Sequence, residues 1–214
     1  MSLCFSFFQG NQVFACADSR VSVRSDEQSY HVSDKYKKIR QIGNKVIFIS
    51  GNVVYDIELF KIIASGHTPK QIQQLAKDLY NRLLNHNFDD DVVINIFLME
   101  DGKATYYQMN SKQGFVLNKQ VPNEYQLYNV GQHSLRTLDY CRELRSTFPN
   151  MDITEIIFKS YEFVADESVG GFLHCFIISN EEIQRGIARI QDSKELIRWN
   201  GGRFPYEFKD FDKA

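Results

Sequence analysis

The segment Leu3 to Phe8 narrows the possible folds most, because it is apolar on both of its faces. Side chains alternate across a strand, so Leu3, Phe5 and Phe7 share one side while Cys4, Ser6 and Phe8 share the other. A strand wetted on one side keeps that side polar; here only Ser6 interrupts, which predicts a strand covered by protein on both faces. Val13 to Ala17 resumes the pattern after a Gly10-Asn11 turn, making a hairpin. A doubly covered sheet needs a layered fold. The 214 residues suffice for one, since a chain of this size can bury about 70% of its surface without a disulfide or metal staple.

Further along, Lys35 to Ile42 and Lys45 to Ser50 read as a second hairpin around Gly43-Asn44. Val54 to Ala64 takes helical periodicity and ends at Gly66, and Thr68-Pro69 caps a helix running to about Asn85. Val92 to Met99, Ala104 to Met109 and Phe115 to Leu117 read as strands, the first two joined at Asp101-Gly102, with a short strand at Leu127 to Gly131. Helices follow at Ser134 to Thr147 and Ile153 to Val164, the latter capped by Asn150 or Asp152. A hairpin of Gly171 to Ser179 and Ile183 to Ile190 closes the pattern. No linker or repeat divides it, so residues 1–214 are expected to form one domain. Two blocks of strands, each with a helix pair, predict an α+β fold of two packed sheets with helices outside.

Charge and composition remove several function classes. Lys and Arg total 25 against 27 Asp and Glu, which gives no field for nucleic acid or anionic membranes. An apolar fraction of 43% with only 4 Pro excludes a disordered chain. No apolar run approaches about 18 residues and no signal pattern opens the chain, so a soluble, cytoplasmic protein without membrane contact is expected. Cys4, Cys16, Cys141 and Cys175 show no Cys-x-x-Cys spacing and read as reduced structural thiols. His31, His67, His86, His133 and His174 form no ligand-spaced pair, and Asp89-Asp90-Asp91 lacks a calcium loop's alternating ligands, reading instead as a solvated turn. No metal and no cofactor is expected.

Removal of Met1 leaves Ser2 first in the chain. An N-terminal serine holds nucleophile and base in one residue, because an α-amine with pKa about 8 can take the hydroxyl proton. The string continues Ser2-Leu3-Cys4-Phe5-Ser6-Phe7-Phe8, then Ala17-Asp18-Ser19-Arg20, Tyr36-Lys37-Lys38-Ile39 and Phe48-Ile49-Ser50-Gly51. Val130-Gly131-Gln132-His133-Ser134 and Asp166-Glu167-Ser168-Val169-Gly170-Gly171 follow. In order and spacing, with Asp18 sixteen residues after Ser2, this resembles the proteasome β-subunit family and its bacterial relatives among the N-terminal nucleophile (Ntn) hydrolases.

The resemblance implies a four-layer αββα sandwich and a role for each matched residue. Ser2 matches the nucleophile, Asp18 the acid that orients Lys38, Gly51 the oxyanion donor through its N–H, and Asp166 a second carboxylate beside the N-terminus. Val21, Tyr36, Ile49 and Val53 match the wall of the pocket for the side chain preceding the cleaved bond; all being apolar or aromatic, they lead to an expected preference for apolar side chains. Gln132 and Val169 stand where the family has hydroxyls. Three readings follow: a proteasome-like peptidase in a homo-oligomeric ring, acting on peptides or unfolded protein with an ATPase partner left unnamed; a non-catalytic ring subunit; or a small-molecule Ntn amidase.

Overall fold

The computed structural model describes residues 2–24, 29–85, 90–123 and 125–190; Met1, His86, Asp89 and everything past 190 lie outside the described residues. The Gly10-Asn11 turn joins β1 (Leu3–Gln9) to β2 (Gln12–Asp18), as expected. A ribbon of β3 (Val21–Arg24) and β4 (Ser29–Ser33) follows. The sequence reading passed over it, although Val21-Ser22-Val23-Arg24 alternates. Next come β5 (Ile39–Ile42) and β6 (Lys45–Ser50), helices α1 (Val53–Ile62) and α2 (Pro69–Leu84), and strands β7 (Val93–Glu100), β8 (Lys103–Asn110), β9 (Asn118–Gln120) and β10 (Gln126–Gly131). Helices α3 (Ser134–Thr147) and α4 (Ile153–Val164) and strands β11 (Phe172–Ile178) and β12 (Ile183–Arg189) complete the described elements.

Two antiparallel sheets result, ordered β10-β1-β2-β11-β12 and β5-β6-β7-β8-β9. Three apolar layers hold them. Leu3, Phe5 and Phe7 of β1 pack with Cys141 and Leu144 of α3 and Ile157 and Tyr161 of α4. The opposite face of β1, Cys4 and Phe8, meets Val46, Phe48, Phe97 and Tyr106 of the second sheet. Beyond that sheet, Ile47, Ile49, Ile94 and Ile96 pack under Tyr55, Leu59, Ile72 and Leu79 of α1 and α2. Helices, sheet, sheet, helices: this is the four-layer αββα sandwich, and the two-faced apolarity of β1 is its cause.

Local chemistry sets the helix ends. Thr68 and Gln71 form a reciprocal capping box, with Pro69 at the first position where its missing N–H costs nothing. Asp152, not Asn150, caps α4 by accepting from the Thr154 N–H at 2.8 Å.

Two strand expectations need correction. The strand expected from Lys35 starts only at Ile39. The strand expected over Phe115–Leu117 is absent: Phe115 has φ 59 and is buried, its ring edge-on to Tyr80 at 5.3 Å, and its carbonyl accepts from Gln73 Nε2 at 2.7 Å. The apolar triplet begins with a plug in the α2 core layer, and β9 pairs three residues later.

Candidate active site

Hairpin register builds the centre of the site. With Cys4 opposite Ala17, Asp18 falls beside the start of β1. There its Oδ1 accepts from the Leu3 N–H at 2.9 Å, and its Oδ2 accepts from the Arg20 N–H at 3.1 Å and from Lys38 Nζ at 2.8 Å. Asp18 is fully buried and Lys38 is 3% exposed, so this ion pair is closed off from bulk solvent. Burial pushes the Lys38 ammonium below its ordinary pKa, against the attraction of Asp18 and of Asp56. Lys38 is carried in just before β5, where its carbonyl accepts from the Ile49 N–H of β6 at 3.1 Å.

Ser2 is buried and held from the other side. Its carbonyl accepts from the Gln132 N–H at 2.8 Å. Gly131, at φ +110, runs so close that a Cβ there would lie 1.9 Å from the Ser2 carbonyl oxygen, so only glycine fits. Gly51 is the second glycine fixed by geometry: its φ is +140, and a Cβ would meet the Asp91 carbonyl oxygen at 2.8 Å.

A cavity of about 940 Å³ brings together Ser2, Lys38 and Gly51 with Val21, Tyr36, Ile49 and Val53. Asp18 stands behind the cavity wall through its bond to Lys38. Asp166 does not line the cavity. Its Oδ2 lies 2.7 Å from His133 Nε2, while its Oδ1 accepts from the Ser168 hydroxyl at 2.7 Å, the Ser168 N–H at 2.7 Å and the Val169 N–H at 3.0 Å. Partial burial raises the Asp166 pKa, but these donors outweigh it and hold the carboxyl below its ordinary value. Val169 offers no hydroxyl, and the neighbouring Ser168 supplies one to Asp166.

Three residues escaped the sequence reading. Arg20, there only a letter in a motif, forks onto Asp34 (2.8 and 3.1 Å) and donates to the Asp166 carbonyl at 2.5 Å, tying the loop after α4 to the end of β2. His133 has φ 59, an uncommon conformation for a residue with a side chain, and its ring turns to Asp166 rather than capping α3. Asp56, 3% exposed, faces the cavity from the first turn of α1. Burial lifts its carboxyl to about 7, against a hydrogen bond from Tyr36 and the charges of Arg40 and Lys38. The signal was the spacing: Val53 and Asp56 are three apart and share a helix face. Asp90 and Asp91, expected as a solvated turn, are exposed and line the cavity.

The two packed sheets and their outer helix pairs define an α+β four-layer αββα sandwich. A solved structure of Anbu from Hyphomicrobium sp. strain MC1 shares it, with a TM-score of 0.58 over 90% of this chain and 89% of that chain, at 14% identity. No family model matches the chain, and no curated protein matches it. This corrects the assignment drawn from the motif string. The proteasome β-subunit resemblance is matched by neither a family nor a curated relative, and a structural likeness at 14% identity shows the fold alone. Of the matched residues, Gly51 and Gly131 are required by close backbone approach alone, whatever the descent.

Proposed function

We propose that the chain is a hydrolase of peptide bonds whose nucleophile is Ser2, made N-terminal by loss of Met1. The α-amine of Ser2 takes the proton from its own Oγ as Oγ bonds to the substrate carbonyl carbon. The carbonyl oxygen becomes an oxyanion facing the Gly51 N–H. The C–N bond then breaks, the proton passes to the leaving amine, and an ester on Ser2 remains. Water adds to that ester, giving its proton to the amine, and the free acid departs with Oγ reprotonated. Lys38 lowers the cost of negative charge on Oγ, and Asp18 orients it.

The observation that carries this reading is the solvent-shielded Lys38–Asp18 pair at 2.8 Å, with Lys38, Ser2 and Gly51 lining one cavity. A lysine buried for packing alone has no reason to open onto the same space as an N-terminal hydroxyl. We also propose that the protein assembles with copies of itself, a reading supported by exposed apolar side chains such as Leu135, Phe148 and Phe163 on the α3–α4 layer. Four free, buried cysteines support a reducing compartment. No helix among the described residues is long and apolar enough to cross a membrane.

The test couples N-terminal state to reactivity. Protein shown by intact mass to lack Met1 should take up a β-lactone at Ser2, located by peptide mapping, whereas Met1-retaining protein should not, its Ser2 nitrogen being a non-basic amide. Labelling of Ser2 in Met1-retaining protein would refute the amine as base, and absence of labelling in Met1-free, assembled protein would refute the hydrolase.

A further inference from the structure

We propose that His133 is a positioning residue for Ser2: its ring, bound to Asp166, holds the Gly131-Gln132 backbone against the Ser2 carbonyl. The proposal rests on the hydrolase reading for its effect on reactivity, though not for the geometry it assigns.

His133 stands at a three-way junction. Before it come Gln132, whose N–H donates to the Ser2 carbonyl at 2.8 Å, and Gly131, which runs against the same carbonyl. Its own carbonyl starts α3, accepting from the Thr137 N–H at 2.9 Å and the Thr137 hydroxyl at 2.6 Å. Its ring leaves both elements and meets Asp166 on the loop between α4 and β11, with 2.7 Å between Nε2 and Oδ2.

Two local costs accompany that arrangement. A φ of 59 is unfavourable for a residue with a side chain. The position before α3 is also where a side chain would cap the helix, and His133 makes no such bond. Nor is the contact a strong source of stability, since the two side chains are 22% and 45% exposed. What it supplies is a fixed distance. The far end is rigid: Asp166 Oδ1 takes three donors from Ser168 and Val169, and the Asp166 carbonyl takes Arg20 Nη1 at 2.5 Å. Arg20 is forked onto Asp34, and Gly170 lies so close that a Cβ there would come within 2.6 Å of the guanidinium carbon.

Such a strut matters because a residue at a chain end has no preceding peptide to hold it, and Ser2 becomes one when Met1 is lost. Leu3 is fixed by its N–H on Asp18 and by the Tyr161 hydroxyl, 3.0 Å from its carbonyl. Ser2 has the Gln132 bond instead. Misplacing a reacting group by about 1 Å can lower a rate about 10²-fold, so the backbone that carries Gln132 has to be stiff. His133 is the side chain that ties it down.

Hydrogen exchange resolved to single amides on the full chain tests the geometry. His133→Gly deletes the ring and suits the φ of 59, so the fold is kept. In that variant the Gln132 N–H should exchange at least about 10-fold faster, while the Ile157 and Tyr161 amides of α4 stay within about 2-fold of wild type. His133→Asn tolerates the same φ without the imidazole and should behave alike, which separates loss of the ring from the freedom of glycine. In Met1-free protein, the maximal rate of β-lactone inactivation should fall about 10–10²-fold in both variants, with the half-saturating concentration within about 2-fold. Unchanged exchange at Gln132 overturns the proposal. So does faster exchange spread evenly through α4, which would mark a general stabilising role, or an asparagine variant that matches wild type. A loosened Gln132 with wild-type inactivation overturns the link to Ser2. A wild-type protein that resists labelling altogether defeats the hydrolase reading, and exchange at Gln132 then decides the positioning alone.

Discussion

Replacing Lys38 by methionine keeps most of the side-chain stem and deletes its charge. Left behind is the Asp18 carboxylate, which has no solvent exposure. Breaking a buried ion pair from one side costs about 3–5 kcal/mol. Asp18 keeps the Leu3 and Arg20 N–H donors at 2.9 and 3.1 Å, which places the expected loss at the low end, about 3 kcal/mol. In a chain of 214 residues each kcal/mol moves Tm by about 2–4 °C, so Lys38→Met should melt about 6–12 °C lower. Adding Asp18→Asn removes the stranded charge. The double variant should regain about two-thirds of the loss; the rest persists because an amide has one acceptor oxygen for two N–H groups. Reactivity should not return with stability. β-Lactone acylation of Ser2 should be about 10²–10³-fold slower in both variants, since neither supplies the positive charge. Thermal melts and labelling rates on the same Met1-free preparations give both readouts. Acylation of Lys38→Met at the wild-type rate would return Lys38 to a purely structural role. A double variant as unstable as the single one would show that an uncompensated charge was not the cause.

Gly131→Ala should destabilise the protein by more than about 3 kcal/mol and abolish Ser2 labelling, because the new Cβ would lie 1.9 Å from the Ser2 carbonyl oxygen; wild-type melting and labelling would disprove that approach. A further prediction concerns pH and stability. Asp56, held up at about 7 by burial against an ordinary 3.8, keeps in the native state a proton that the unfolded chain has lost, so its contribution falls by about 4 kcal/mol as pH rises from about 4 to 7. His174, pushed down to about 4 by burial and by Lys37, lacks in the native state a proton that the unfolded chain carries, so stability falls by about 3 kcal/mol as pH drops from 6.5 to 4. The two slopes oppose each other below pH 6.5, and Asp56→Asn should expose the His174 slope as acid lability in urea melts at pH 4.5, 6 and 7.5; an unchanged profile would refute this assignment.

Most of the fold was readable because its causes are local or periodic. Alternation in β1 and β2 carried both faces of the first sheet, and Thr68-Pro69 marked a helix start by a hydrogen bond that sequence neighbours make, while Asn150 and Asp152 bracketed another that the structure gives to Asp152. Phe115–Leu117 failed for the complementary reason. Three apolar residues fit a buried strand and a core plug equally well, and the choice was made by Tyr80 and Gln73, more than thirty residues away on α2.

The site divides along the same line. Ser2 and Asp18 sit at the two ends of one hairpin, so their adjacency follows from the Gly10-Asn11 turn and a count of residues. Lys38 opposite Asp18 needed the two sheets to pack, and only the motif string suggested it. Asp56 needed more. An aspartate in the first turn of a helix has a sufficient local explanation, the partial positive charge of the helix N-terminus, and so prompts no search for another. What distinguishes Asp56 is burial under Tyr36 with one oxygen unmet, a property of the space between α1 and the segment leading into β5. The cavity it lines mixes Val21, Ile49 and Val53 with Ser22, Ser50, Asn52 and Gln132. Reading Val21, Tyr36, Ile49 and Val53 from the sequence therefore gave part of the cavity lining and passed over Asp56, which lines it too.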